Sequence, residues 1–344
     1  MRGGGGLRTG GERLAVKVVY IAGTGRNGST LLGMLLHRLP GVTFVGELTH
    51  LWERGLEQNQ LCGCRRPLLA CEFWREVCRR AFGQVPPAEL PQLIALRRRV
   101  SRLRGLAWLA AGQSHVDRLT VQEYGQVYRC LVEAIAAVSG DSTIVDSSKY
   151  PTDLAALRCA VPELPIYTLH LVRDCRAVAY SWKRRKERPE IHWTRALMPR
   201  YGVVRTAMAA NVFFRLIARQ GRQVPQRYCR LRYEDLVDAP EVTLRRVSEW
   251  LEHDAVMNVK EEIGEWGHRP ELIHTVAGNP CRFAAPGKRI RLDDEWMTEM
   301  KPTERWIVEW LCNGVQRETG YAAGPTGRKV EVGHDLVAVD EANR

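Results

Sequence analysis

No stretch of this chain reaches the roughly 18 consecutive apolar residues that a bilayer-spanning helix requires, so a helical membrane span is not expected. The opening stretch, "MRGGGGLRTGGERL", lacks the apolar core of a signal peptide and reads as a flexible tail, which makes a cytoplasmic protein the expectation. No internal repeat occurs, which removes solenoids and propellers. Acidic residues are short, 39 against 51 lysines and arginines, and the formal net charge of +12 favours anionic partners: a nucleotide, a sulfated or phosphorylated substrate, nucleic acid or a membrane surface. The ten cysteines lack a secretory context, so free thiols are expected rather than a disulfide framework. Cys62, Cys64 and Cys71, with Cys78 beyond, follow C-x-C-x6-C, which is not a standard zinc spacing; a metal, a disulfide and buried thiols all fit it, and no metal is expected.

One absence is more informative. Residues 23–30, "GTGRNGST", have the spacing of a phosphate loop, G-x-x-x-x-G-K-[ST], but Ser29 stands where the lysine belongs. Val16 to Ala22 is an apolar, β-branched run, and Leu31, Leu32, Leu35, Leu36 and Leu39 follow at helical spacing, so the loop joins a strand to a helix N-terminus. Unpaired N–H groups and the helix dipole favour an anion there, and Gly23, Gly25 and Gly28 let the backbone converge on it. Ser29 and Thr30 add hydroxyl donors, and Arg26 supplies charge from inside the loop. An ordinary strand-to-helix turn is the bland alternative.

Further apolar runs, "VTFVGEL", "STIVDSS", "IYTLHLVRD" and "RYCRLRYEDL", alternate with helical stretches such as "CRAVAYSWKRRK" and "APEVTLRRVSEWLE". That alternation predicts an α/β fold, a parallel sheet flanked by helices, with ligands at the carboxyl ends of the strands. Arg26, Glu47, Lys149, Arg173 and Tyr233 each follow one of the five strands. Pro151 is placed to open a helix, with Ser147 and Ser148 as candidate caps or cofactor contacts. Residues of about 65–140 read as a helical insertion, 275–292 as a long loop, and Pro302 to Gly320 as a last helix. The expected organisation is a tail over 1–15, one domain over 16–321 and a second tail over 322–344. The basic runs "LRRRVSRLR" and "WKRRKER" read as solvated helix faces.

Taken in order, "GTGRNGSTLL", "VDSSKYP", "LHLVRDCRAVAYSW" and "LRYEDL" resemble the sulfotransferases that use 3′-phosphoadenosine 5′-phosphosulfate (PAPS), in the bacterial branch similar to the carbohydrate and tyrosylprotein enzymes. The resemblance covers about residues 16–320 and implies a P-loop-like nucleotide-binding fold whose loop grips a 5′-phosphosulfate. Gly25, Arg26, Asn27, Gly28, Ser29 and Thr30 would form that grip, with Arg26 in place of a lysine common in the family. Arg173 and Ser181, eight positions apart, would bind the 3′-phosphate, and Tyr233 would lie near the nucleotide. The C-terminal loop departs from the Arg-Lys-Gly of cytosolic members; Arg282 is the candidate 3′-phosphate ligand there, with Lys288 and Arg289 as rivals.

The resemblance also places a glutamate base at Glu47, with His50 as its rival, and a leaving-group lysine at Lys149. A helix-start carboxylate is the structural alternative for Glu47, and a salt bridge to Asp174 is the alternative for Arg173. The implied reaction moves a sulfuryl group to a hydroxyl, less readily an amine, of a small-molecule, carbohydrate or peptide acceptor. Two other readings stay open: a P-loop kinase with Asp146 holding magnesium on a Walker B strand, and a basic module that binds nucleotides or nucleic acid without turnover.

Overall fold

The computed structural model describes residues 16–101, 105–106, 116–252, 273–284 and 290–321. The expected tails, together with Lys288 and Arg289, lie outside the described residues. Five strands form one sheet: β1 (Lys17–Ala22), β2 (Val42–Phe44), β3 (Thr143–Lys149), β4 (Ile166–Val172) and β5 (Tyr228–Arg232). Their order is β2-β3-β1-β4-β5 and every pairing is parallel. β1 is central because both faces of the sheet are covered and its apolar run has no polar face to turn outward. Val18, Tyr20 and Ala22 join one buried cluster while Val19 and Ile21 join the other.

Helices supply the two coverings. α1 (Ser29–Leu36) follows β1 and is buried along its whole length. Between β2 and β3 lie α2 (Glu72–Phe82), α3 (Leu90–Val100) and α4 (Arg118–Ser139). They pack with α5 (Pro151–Ala160) on the face that carries Tyr20. α6 (Cys175–Lys183) follows β4, α7 (Val203–Gln223) precedes β5, and α8 (Tyr233–Asp238) and α9 (Pro240–Trp250) follow it. α10 (Trp296–Glu299) and α11 (Pro302–Glu318) complete a third cluster with α6 and α7. Among the described residues no helix is long and apolar enough to cross a membrane.

One local expectation is corrected and one helix is added. Pro151 does open α5, but neither serine caps it: the N-cap is Tyr150 without a side-chain bond. Ser148 Oγ donates to Asp146 Oδ1 at 2.5 Å, and Ser147 Oγ donates to the Gly46 carbonyl at 3.1 Å. α7 has no counterpart in the sequence reading. Its exposed side also carries apolar residues, Val204, Met208 and Val212, which blur the helical period.

β1 meets β3 on one side and β4 on the other, so consecutive crossovers diverge at its carboxyl end. This is the topological switch where such sheets bind ligands. Nearby, His170 of β4 is fully enclosed, with Nδ1 2.8 Å from Tyr228 Oη. Burial, then Arg230, pushes its pKa down to about 3. A depressed histidine leaves the folded state binding fewer protons than the unfolded chain once pH falls below about 6.5, so stability drops with pH there. His170→Gln removes that titration. Its unfolding free energy should lose less between pH 7 and pH 5 than the wild type's, by a slope difference approaching about 1.4 kcal/mol per pH unit below about 6.5. Parallel slopes in denaturant titrations at the two pH values would contradict this.

Candidate active site

The loop between β1 and α1 is held from the β4 side. Asn27 Nδ2 donates to the Leu171 carbonyl at 3.0 Å while its Oδ1 accepts from the Ser29 N–H at 3.2 Å. Arg173 Nη1 donates to the Arg26 carbonyl at 3.0 Å, and Trp182 Nε1 to the Gly25 carbonyl at 3.2 Å. These bonds take up the Gly25 and Arg26 carbonyls and the Ser29 N–H. The glycines are required by what packs on them. A Cβ on Gly25 would lie 2.5 Å from the Trp182 ring, and one on Gly28, at φ +97°, would lie 2.2 Å from the Tyr233 ring.

Arg26 adopts φ +72° and is buried, with its guanidinium 4.9 Å from the centre of the Trp182 ring. None of its three guanidinium nitrogens has a hydrogen-bond partner among the described residues. Burial lowers its pKa from the ordinary value and Glu47 opposes the shift. A cation in this state is short of an anion. Two residues outside the predicted set lie close to it. Burial, then Arg26 and Arg184, push the Lys186 ammonium below its usual pKa. Both belong to the "WKRRKER" run, whose charge the sequence could show but whose inward aim it could not.

Arg173 lies 4.4 Å from the centre of the Tyr233 ring. Its salt bridge is not with Asp174, which pairs with Arg176 at 2.7 Å, but with Asp293 at 3.3 Å. Arg184 also reaches Asp293, at 2.7 Å. Burial would raise the Asp293 carboxyl, but Arg173 and Arg184 together bring it below its usual range. Ser181 is buried on α6, two turns beyond Arg173. Arg282 stands apart from this group. Its Nη1 donates to the Thr275 carbonyl at 2.8 Å and its Nη2 to the Leu61 carbonyl at 3.2 Å, so it braces two chain segments.

The second half of the site lies at the ends of β2 and β3. Lys149, at the end of β3, takes φ +75°, in the left-handed region. Its Nζ donates to Glu47 Oε1 at 2.6 Å and to the Ser147 carbonyl at 2.9 Å. His50 Nε2 lies 3.4 Å from Glu47 Oε2. Burial, then Arg54 and Arg97, push His50 well below its usual pKa, so it is neutral near pH 7. The chain after Glu47 forms a short 3-10 turn and then a π-helical turn over Leu51–Glu57. Thr49 Oγ1 donates to Asp153 at 3.0 Å and accepts from Arg97 Nε at 3.0 Å. Arg97 and Arg98 both pair with Glu53, so that basic run is partly an internal tether. Thr30 Oγ1 accepts from the Asn279 N–H at 3.0 Å, and a Cβ on Gly278 would lie 3.2 Å from Thr30 Oγ1 and 3.9 Å from Glu47 Oε1. The phosphate loop and the Glu47 pair thus share one crevice.

Asp146 does not fit a magnesium ligand. Oδ1 accepts from the Leu48 N–H, the Ser148 N–H and Ser148 Oγ, and Oδ2 from Tyr128 Oη at 2.9 Å. Burial raises its pKa to about 6 despite these bonds.

A glycine loop at the switch of a parallel sheet, with an ion pair beside it, lies where α/β sheets bind ligands, and a helix N-terminus there suits an anion. More specifically, the chain belongs to the sulfotransferase family, which it matches over residues 19–256. It is a transferase, and the kinase and non-catalytic readings give way to that assignment. In structure it is similar to the sulfotransferase domain from the curacin biosynthetic pathway, with TM-score 0.50 and 19% identity over 89% of this chain and 99% of that one. The sulfotransferase domain of the Synechococcus PCC 7002 olefin synthase gives TM-score 0.48 and 19% identity over 90% and 98% of the two chains. Sulfotransferase STF9 from Mycobacterium avium gives 0.49 and 12% over 88% and 77%. No curated protein matches the chain in sequence.

Because Arg26 is buried without a partner, Arg26→Met should stabilise the ligand-free protein by about 1–3 kcal/mol, since the thioether keeps the contact with Trp182 and removes an unsatisfied charge. The same variant should lose most of the stabilisation that sulfate or phosphate gives the wild type. Thermal melts with and without the anion check both; a ligand-free variant less stable than the wild type contradicts the assignment.

Proposed function

We propose that this sulfotransferase moves the sulfuryl group of PAPS to a hydroxyl, less readily an amine, of its acceptor, with Glu47 as general base. The observation that carries this reading is the contact between Glu47 and Lys149 in the crevice that holds the unpartnered Arg26. The residues fit such a donor. Gly25 to Thr30 offer backbone and hydroxyl donors at a helix N-terminus, and Arg26 offers the charge the loop otherwise lacks. Arg173, just ahead of α6, and Ser181 on that helix supply a phosphate clamp, and Tyr233 covers Arg173. Arg282 donates through Nη1 and Nη2 to two carbonyls, as Arg173 does, and its Nε is likewise without a hydrogen-bond partner among the described residues, so it stays a candidate 3′-phosphate ligand.

The chemistry follows from the pairing. PAPS supplies an activated sulfuryl group on its 5′-phosphate. Glu47 takes the proton of the attacking hydroxyl as the new S–O bond forms and the bond from sulfur to the phosphate oxygen breaks. The carboxylate loses its charge in that moment, which releases Lys149 to face the charge growing on the departing oxygen. His50, neutral and 3.4 Å from Oε2, borders the carboxylate as a positioning residue. Acceptor identity belongs to the surfaces around this crevice, which carry no portable code.

Three outcomes test the reading. Adenosine 3′,5′-bisphosphate should raise Tm without divalent metal, far more than ATP with magnesium does. Arg173→Ala should weaken the bisphosphate tenfold or more, from a charge-assisted bond of roughly 1.5–3 kcal/mol, and leave a nucleotide lacking the 3′-phosphate nearly unaffected. Glu47→Gln should keep bisphosphate affinity and lose about 10²–10⁴-fold in turnover, with partial rescue by acceptors of more acidic hydroxyl. Full turnover in Glu47→Gln beside a collapse in His50→Gln would move the base to His50.

A further inference from the structure

Away from the crevice's reacting groups, four side chains converge for which the reaction has no use. Cys64 Sγ lies 3.7 Å from Cys71 Sγ. His274 Nδ1 lies 3.2 Å from Cys71 Sγ and 3.9 Å from Cys62 Sγ. The four ligand atoms all fall within 4.8 Å of one another. None of the thiols is in a disulfide.

We propose that Cys62, Cys64, Cys71 and His274 bind one Zn²⁺ ion, and that this ion clamps the segment Ile273–Asn279 against the elements that carry Thr30 and Glu47. Zn–S bonds of about 2.3 Å and a Zn–N bond of about 2.0 Å at tetrahedral angles put sulfurs about 3.8 Å apart and sulfur and nitrogen about 3.5 Å apart. The observed separations of 3.7, 3.2 and 3.9 Å scatter around those edges. Disulfide sulfurs would lie near 2.0 Å. Three sulfurs and an imidazole nitrogen in a tetrahedral set select zinc over the oxygen-seeking cations. Four protein ligands close the shell, which makes the site structural rather than catalytic.

The surroundings are built for ligation. Residues 62–66 form a tight turn: the Arg65 N–H donates to the Cys62 carbonyl and the Cys62 N–H to the Arg66 carbonyl, each at 2.9 Å, with Arg65 at φ +66°. That turn presents Cys62 and Cys64 on one side. Gly63 is needed because its N–H donates to the Thr275 carbonyl at 3.0 Å and a Cβ there would lie 2.4 Å from Thr275 Oγ1. The His274 ring stacks on Phe73 at 4.7 Å and 5°, and its carbonyl accepts from Trp74 Nε1 at 3.1 Å, so the imidazole is fixed in direction. Arg282 braces this cluster as well. It ties the carbonyl before Cys62 to the carbonyl after His274, the outer support that metal ligands require, and its charge offsets that of a three-thiolate site. Cys62 and Cys71 are fully enclosed while Cys64 and His274 are half-buried, which leaves a way in for the ion.

The consequence runs to the active site. Val276 bridges Gly46: its N–H donates to the Val45 carbonyl at 2.9 Å and its carbonyl accepts from the Glu47 N–H at 2.8 Å. Three residues further on, Asn279 holds Thr30. A metal at His274 therefore fixes the strip of backbone that borders the base and the loop. The metal assignment stands without the sulfuryl-transfer reading; only the effect on turnover rests on it.

The test is the metal content of the full chain, purified without added metal and measured by plasma mass spectrometry. About one zinc per chain is expected. Exchange for Co²⁺ should give the visible ligand-field bands of tetrahedral cobalt and the near-ultraviolet charge transfer of thiolate ligands. Cys64→Ser and His274→Ala should each lower the retained metal at least tenfold, and Cys78→Ser, outside the cluster, should keep it. Should those variants fail to fold, stepwise thiol modification of the wild type serves instead, with zinc release to a chromogenic chelator expected as the thiols react. Chelation should lower Tm in the absence of any nucleotide, whatever the donor. Reduced wild-type chain with no metal and no cobalt spectrum, or a Cys64–Cys71 disulfide in the chain as purified, overturns the proposal.

Discussion

Arg26 holds a positive charge inside a loop whose own bonds leave that charge no hydrogen-bonded partner among the described residues. Burial of such a group costs free energy unless an anion arrives, so the fold around it must be rigid enough to keep it there. The bracing is visible on every side: Asn27 to β4, Arg173 to the Arg26 carbonyl, Trp182 to Gly25, and Tyr233 against Gly28. A lysine at the end of the loop could snorkel into water. An arginine set within it at φ +72° has no such exit.

The other half of the crevice obeys a different constraint, the balance of a carboxylate among cations. Glu47 meets Lys149 directly and His50 at longer range. The two sides of that balance come from the ends of neighbouring strands, so sheet register sets their distance more than side-chain flexibility does. What keeps the region in place is borrowed from elsewhere: Asp153 and Arg97 through Thr49, and the bridge of Val276 to Gly46. Helix α3, between β2 and β3, and α5 are thereby bonded to the residues that follow the carboxylate.

Much of this was legible in the order of residues. The β-branched runs, the glycine spacing of residues 23–28 and the polar residue after each strand pointed to a parallel sheet with a ligand at its carboxyl ends. These are local signals, set by side-chain periodicity and backbone freedom, and the parallel pairing observed agrees with them. The serines after Asp146 misled because a hydroxyl before a proline-led helix reads as a cap, whereas a buried carboxylate competes for the same donors.

The sequence by itself determined the alternation of strand and helix, the anion-seeking loop without its lysine, and the surplus of positive charge. Only the tertiary structure decided which charges face each other. Arg173 chose Asp293, 120 positions away, over its neighbour Asp174. Arg282 ties the carbonyls of Leu61 and Thr275, which lie 214 positions apart in the chain. His274, 203 positions beyond Cys71, completed a cluster that the cysteine spacing alone could not define. Pairings of this kind depend on three-dimensional distance and on which groups burial leaves without water, and neither quantity is carried by separation along the chain.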